Sequence, residues 1–410
     1  MFKLNNFEEF FVYVDFIYAT IGIESWARRE RRTRCKKYLK TIIFYINITN
    51  MNVVMLAEIL NLFLSTTDTV DIPDLLMSMS YIGFVINSSW KIYMIWKKRP
   101  LIESLICDFH DIFPTKLILQ QDYGVQAYLR KCHRKSKFMS LLFVFAIWFF
   151  NLLAILEFGI SSRNAHHSRS QQELPYFMYI PWNWQNHWSY YLLYIMASMA
   201  GHTTAMGNVS NDLLLYSLIS QLIMHFDFVA NTMESYEIGS GSKGVAKMEG
   251  RENGNDLEFL KIFIEYHSHL LGLSDRLNDI FGLLLFVHFA SATFVICLLG
   301  FLMTIGTSFL SLFKLSLFLF TMLIQSAEIC SYGQMLMDSS LRVSTAVLTT
   351  QWLKTEVRCQ KMLILMSKRA QRPAQLKATY FIWISQGTMN ELLHLSYKFF
   401  TLLRTMYVKK

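Results

Sequence analysis

Seven stretches of this chain are apolar enough, and long enough, to cross a lipid bilayer: 41–64, 70–96, 136–160, 188–223, 279–306, 309–337 and 376–407. A helix rises about 1.5 Å per residue and the hydrocarbon core is about 30 Å thick, so one crossing needs about 20 mostly apolar residues. Inside lipid the backbone must satisfy its own hydrogen bonds, so these stretches are expected to be helices. That removes the soluble multidomain folds that 410 residues would otherwise permit. Composition agrees, with 53% hydrophobic and only 17% charged residues, against about 25% charged in soluble domains. The fourth stretch is too long for one crossing and is expected to continue beyond the membrane as one helix.

The distribution of charge sets the expected orientation. The arm 1–40 and the segments 97–137, 224–278 and 338–373 hold 30 of the 39 Lys and Arg. The alternate connections hold almost none. The positive-inside rule then places the N-terminus in the cytosol, and an odd number of crossings places the C-terminus outside. This is the reverse of a metabotropic seven-helix receptor. Cys35, Cys107, Cys132 and Cys359 fall in segments expected in the cytosol, and Cys297 and Cys330 fall inside spans, so no extracellular disulfide is expected. The first apolar patch, Phe10 to Ile23, contains Asp15 and lacks both a basic flank and a small-residue cleavage site. It reads as an amphipathic segment ahead of the first span rather than a signal peptide. Glycosylation sequons at Asn47, Asn87 and Asn208 all lie within spans and are expected to stay unmodified.

Four regions follow: a cytosolic arm (1–40), six membrane helices with their connections (41–337), a cytosolic helical anchor segment (338–375), and a pore-lining seventh helix with an extracellular tail (376–410). Ile238 to Asn255, rich in Gly, Ser, Lys and Glu, reads as a disordered cytosolic linker. The net charge of +9 sits between apolar runs, not on a soluble basic face, so nucleic acid is not expected as a partner. No phosphate loop, catalytic triad or paired carboxylates are visible, the histidine pairs lack helical metal-ligand spacing, and no enzyme activity, metal or cofactor is expected. Asp212, Lys314 and Glu328, though within spans, are expected to be satisfied by neighbouring helices.

The last span is the most polar. Gly387, Glu391, His394, Lys398, Thr401 and Thr405 are separated by alternating steps of four and three residues, which puts them on one helical stripe. Leu392, Leu395, Phe399, Leu403 and Met406 occupy the other side. One polar stripe cannot enclose water, but several copies around an axis can, which is how many ion pores are built. Spacing alone leaves two readings open: a pore helix in an oligomer, or a helix held by polar contacts within one protomer. Leu402 and Met406 lie beside the stripe near its outer end, where apolar rings could gate by dewetting.

The C-terminal third resembles the insect odorant receptor family. Cys330-Ser331-Tyr332-Gly333-Gln334 looks like that family's signature near the cytosolic end of the sixth helix. Gln351-Trp352, the run Met362 to Met366, Lys368 to Pro373, and Ser396-Tyr397-Lys398-Phe399-Phe400-Thr401-Leu402-Leu403-Arg404 follow in the family's order and spacing. Leu277 to Phe281 and Val295 to Phe301 match its fifth helix, with weaker echoes in Trp90–Leu105 and Pro181 to Trp184. The resemblance implies an all-helical odorant-gated channel subunit in the plasma membrane of olfactory sensory neurons. Its seventh helix would be split into a cytosolic and a pore-lining piece. Asp338–Arg372 would supply much of the subunit contact, with Trp352 as a packing anchor and Arg369 and Arg372 solvated or paired. The partners implied are a small volatile odorant and an odorant receptor co-receptor, in a heterotetramer. This chain does not resemble the co-receptor itself, whose second cytosolic loop is longer. Its pore and gate would use His394, Lys398, Thr401, Leu402, Thr405 and Met406. Lys398 departs from the family, which usually has an uncharged residue there. The odorant would sit among the outer halves of helices two, three, four and six, near Met77, Tyr81, Phe84, Phe150, Ala154, Tyr191, Tyr194 and Met199. A gustatory receptor of the same superfamily is the nearest alternative.

Overall fold

The computed structural model describes residues 4–26, 34–65, 72–164, 174–185, 187–236, 256–305, 309–350, 352–379 and 382–408. The linker expected at 238–255 and residues 28–33 of the basic N-terminal arm lie outside the described residues. In chain order the helices are α1 (Val12–Ile21), α2 (Arg34–Ser65), α3 (Ile72–Lys97), α4 (Arg99–Asp111), α5 (Leu117–Asp122), α6 (Val125–Asn164), α7 (Ser189–Glu234), α8 (Asp256–Leu302), α9 (Phe309–Thr349), α10 (Val357–Ala370) and α11 (Gln386–Val408). A two-stranded turn, β1 (Lys377–Ala378) against β2 (Ile382–Trp383), precedes α11.

Five of the described helices are long and apolar enough to cross a membrane by length and composition, within α2, α6, α7, α8 and α9. α3 and α11 are more polar for a physical reason in each case. α3 carries Asn87, Ser88 and Lys91, all buried inside the bundle with polar partners. α11 carries the exposed polar stripe described below.

The bundle is built around α7, which packs against α2, α3, α6, α8 and α9. Of its most apolar window, 94% is buried. A helix enclosed on every side must be thin, and α7 is rich in small residues between Ala197 and Asn211. The apolar face of α1 is also buried: Val14, Ile17, Tyr18 and Ile21 pack into the core, and Tyr18 donates to Asn211 Oδ1 at 2.6 Å. The segment is amphipathic as its sequence implied, but it covers the bundle where a free interfacial helix would cover lipid. Gly22 ends α1 at φ 95°, and a Cβ there would stand 2.7 Å from the Lys40 carbonyl.

The short helices pack on the ends of the long ones: α4 on α8, α5 on α6, and α10 on α8 and α9. Polar contacts tie this region together. Arg276 pairs with Asp108, and Arg342 reaches Glu234 at 2.8 Å and Asn231 at 2.7 Å. Tyr123 stacks on Phe228 with ring centres 3.6 Å apart and shares a hydrogen bond with Tyr266. Burial pushes the Tyr123 hydroxyl up to about 12.

Before α11 the structure departs from an uninterrupted helix beginning at 376. The Asn278 side chain donates to the Gln375 carbonyl at 2.8 Å and accepts from the Lys377 N–H at 2.9 Å. These bonds hold the segment extended, Thr379 turns at φ 69°, and the helix starts only at Gln386. Gly333 on α9 leaves room for the Ile384 carbonyl. The motif residues Asn278 and Gly333 therefore both serve the turn that delivers α11.

Candidate functional site

A cavity lies within the bundle, walled by α2, α3, α6, α7, α9 and the segment before α7. Its lining is mostly aromatic and aliphatic, as in sites for small apolar ligands. Tyr81 from α3 makes edge contacts with Phe150 of α6 and with Tyr176, at ring-centre distances of 5.3 and 5.5 Å. Phe150 and Tyr176 stack at 5.7 Å. Phe84 and Phe318 meet edge to face at 5.4 Å. The Lys314 ammonium lies over the Phe150 ring, 4.1 Å from its centre, so its charge is met by the ring face. Tyr176 enters because α7 offers Gly201, where any Cβ would collide with its hydroxyl.

Of the residues expected around a ligand, Tyr81, Phe84 and Phe150 line this cavity. Met77 packs against the same aromatic cluster from outside the lining. The side chain of Ala154 lies outside the described residues. Tyr191, Tyr194 and Met199 do not line it: Tyr191 is 67% exposed, Met199 is 39% exposed, and Tyr194 donates to the Asn151 carbonyl at 2.6 Å. The face of α7 that meets the cavity is Ala200, Gly201, Thr204 and Ala205, small residues that leave the space open. The α2 wall, with Met51, Val54 and Glu58, and Tyr176 were also missed. The signal was present in Glu58, an acidic residue in the middle of an apolar run.

One turn along from the cavity wall lies a buried polar cluster. Thr204, Thr321 and Phe84 line the cavity, while Asn208, Gln325 and Ser88, four residues later on α7, α9 and α3, lie deeper. Lys91 bonds Asp212 at 2.7 Å and Asn208 at 2.8 Å, and Gln325 donates to both at 2.5 and 3.0 Å. Asn87 reaches His288 of α8 at 3.4 Å. Asp212 is thus satisfied by neighbouring helices, and so is Glu328, which receives Lys135 at 2.6 Å.

α11 rests on the bundle by a narrow face. Leu392 and Ser396 are buried, Phe400 and Leu403 are half-buried, and Ser396 donates to the Thr293 carbonyl at 3.3 Å. The stripe residues Gly387, Glu391, His394, Lys398, Thr401 and Thr405 are all exposed. So are Leu395, Phe399, Leu402 and Met406; most of the expected apolar side is thus uncovered as well, and only Leu392 and Leu403 of it turn inward. Trp352 is half-buried against the core, and Arg369 and Arg372 are exposed, with Arg369 donating to the Arg372 carbonyl at 3.3 Å. Leu353, Val357, Ile364 and Leu365 leave an exposed apolar surface beside them.

The family model described as 7tm odorant receptor matches residues 71–397. The chain is similar to odorant receptors 85c and 85b of Drosophila melanogaster, 38% identical to each over 98% of this chain and 100% of theirs. Odorant receptor 67a of the same species is 30% identical, over 95% of this chain and 94% of its own length. In fold the chain is similar to the olfactory receptor OR5 of Machilis hrabei, solved in complex with eugenol. That match has a TM-score of 0.76 at 13% identity, covering 96% of this chain and 97% of the other. The gustatory alternative gives way to these matches. The chain belongs to the seven-helix odorant receptor family of insects, as an odorant-tuning member distinct from the co-receptor, and is a multi-pass membrane receptor, not an enzyme.

Proposed function

We propose that this chain is the odorant-binding subunit of a ligand-gated, non-selective cation channel, assembled with an odorant receptor co-receptor in a heterotetramer. It would act in the plasma membrane of olfactory sensory neurons with its N-terminus in the cytosol. The observation that carries the reading is the seating of α11, which leaves its whole polar stripe uncovered by its own protomer. Polar side chains at membrane depth are costly unless they face water or a partner. A shared aqueous axis supplies both. The exposed apolar residues Leu353, Val357, Ile364 and Leu365 at the anchor end fit a subunit contact alongside Trp352.

The odorant site is the aromatic cavity of Tyr81, Phe84 and Phe150. The Machilis hrabei receptor, which shares the fold, was solved with eugenol, a small aromatic molecule. α9 connects cavity to pore: Lys314 and Phe318 line the cavity, and further along the same helix Gly333 meets the backbone that leads into α11. Odorant that binds the open state more tightly shifts the population toward it, moving α11 and wetting the ring of Leu402. Lys398 in the stripe would repel cations if four copies faced one path, so few copies of this subunit are expected in each channel. Co-expression with a co-receptor and current recording across an odorant panel tests the reading. Odorant-evoked cation current that requires both chains is expected. A G-protein-dependent response without such current overturns it.

A further inference from the structure

Glu58 is the unusual group on the cavity wall. Its side chain is 2% exposed, it lines the cavity, and its Oε2 has no hydrogen-bond partner among the described residues. Apart from the Tyr81 hydroxyl, which also lines the cavity, the other polar groups there are engaged within the protein. The Thr204 and Thr321 hydroxyls donate one turn back to Ala200 and Leu317, at 2.9 and 2.8 Å. The Tyr176 hydroxyl donates to Asn151 Oδ1 at 3.4 Å. Lys314 stands over the Phe150 ring. Beside Glu58, the Tyr179 N–H donates to the Ala57 carbonyl at 3.0 Å, which holds the segment 176–179 against α2 and shields this corner from water.

An unmatched carboxyl oxygen in an apolar enclosure is costly, and an occupant that donates a hydrogen bond to it recovers that cost. We propose that Glu58 is a specificity-determining residue of the cavity and that the ligand class is a small neutral molecule with an apolar body and one hydroxyl, an alcohol or phenol. This rests on the cavity being the odorant site. Charge narrows the class. A charged ligand would have to leave water for a mostly apolar wall, a cost that a neutral hydroxyl largely avoids. Phe84, Phe143, Phe150 and Phe318 take the apolar body.

The test uses the full chain expressed with a co-receptor and matched probes: 1-heptanol against heptyl methyl ether and 2-heptanone, and benzyl alcohol against benzyl methyl ether and toluene. Half-maximal concentrations for the alcohols are expected to be at least about tenfold lower than for their partners. Glu58→Leu should abolish that ratio while retaining responses to the ethers, and Glu58→Gln, which keeps an acceptor, should retain part of it. Equal potencies, a response confined to ketones, ethers or hydrocarbons, or an alcohol preference intact in Glu58→Leu each overturn the proposal. Where a variant fails to reach the surface or no probe opens the channel, thermal stabilisation of the purified complex by the same probes gives the ratio directly. No preferential stabilisation by the alcohols then overturns it. Failure of the cavity reading looks different: Phe150→Ala would leave the response to every agonist unchanged, whatever the alcohol ratio.

Discussion

Lys91 of α3 and Asp212 of α7 meet at 2.7 Å where their side chains are only 2% and 3% exposed. Asn208 and Gln325 complete the hydrogen bonding around them. Breaking a buried pair by removing one partner leaves the other charge unmatched, at a cost of about 3–5 kcal/mol, whereas replacing both by apolar residues can be nearly neutral. Lys91→Met and Asp212→Leu are each expected to lower surface expression and thermal stability of the purified receptor sharply. The double variant should recover much of both. Additive losses in the double variant would show that the pair is not coupled.

Gly201 holds open the space that Tyr176 fills. Gly201→Ala forces the Tyr176 hydroxyl away from α7 and should raise half-maximal odorant concentrations, with surface levels little changed. Tyr191→Ala, 67% exposed and outside the cavity, should leave them unchanged. Dose–response curves for the two variants compare the face of α7 that lines the cavity with the face that does not.

Gly333 lies against the Ile384 carbonyl, while Gly272 has no neighbouring atom within 4 Å of where a Cβ would stand. Gly333→Ala should displace the turn before α11, with an overpacking cost of about 1–3 kcal/mol. Gly272→Ala should be harmless or slightly stabilising, since Ala favours a helix interior. Thermal unfolding of the detergent-solubilised variants measures both, and equal effects would remove the special role of Gly333.

Leu402 is exposed near the far end of α11. As a dewetting gate it would leak when made polar, so Leu402→Ser is expected to raise current in the absence of odorant. A basal current equal to that of the parent channel counts against the gate.

Lys398 is exposed within the polar stripe. Lys398→Gln removes a positive charge, so single-channel cation conductance should rise if it faces the permeation path, most strongly at low ionic strength where screening is weak. Unchanged conductance and selectivity would place Lys398 outside the path.

The membrane helices could be read from the chain because lipid imposes one rule on all of them: long apolar segments with their backbone bonds made internally. The stripe from Gly387 to Thr405 could be read because helical periodicity alone fixes which residues share a face. Tyr81, Phe84 and Phe150 could be anticipated as cavity residues, since aromatic groups suit an apolar ligand and the family resemblance named the helices. Other features needed the assembled bundle. That α7 turns Gly201 and Thr204 toward the cavity, and leaves Tyr191 outside, depends on how the neighbouring helices crowd around it. That Glu58 faces the same space as Lys314 joins residues 256 positions apart. The extended entry to α11 comes from the Asn278 amide and the gap at Gly333, both on other helices. Local sequence determines which segments are helices and which faces are polar, because those follow from periodicity and solvent. Which faces meet is decided by packing and by hydrogen bonds between distant segments, and these exist only once the chain has folded.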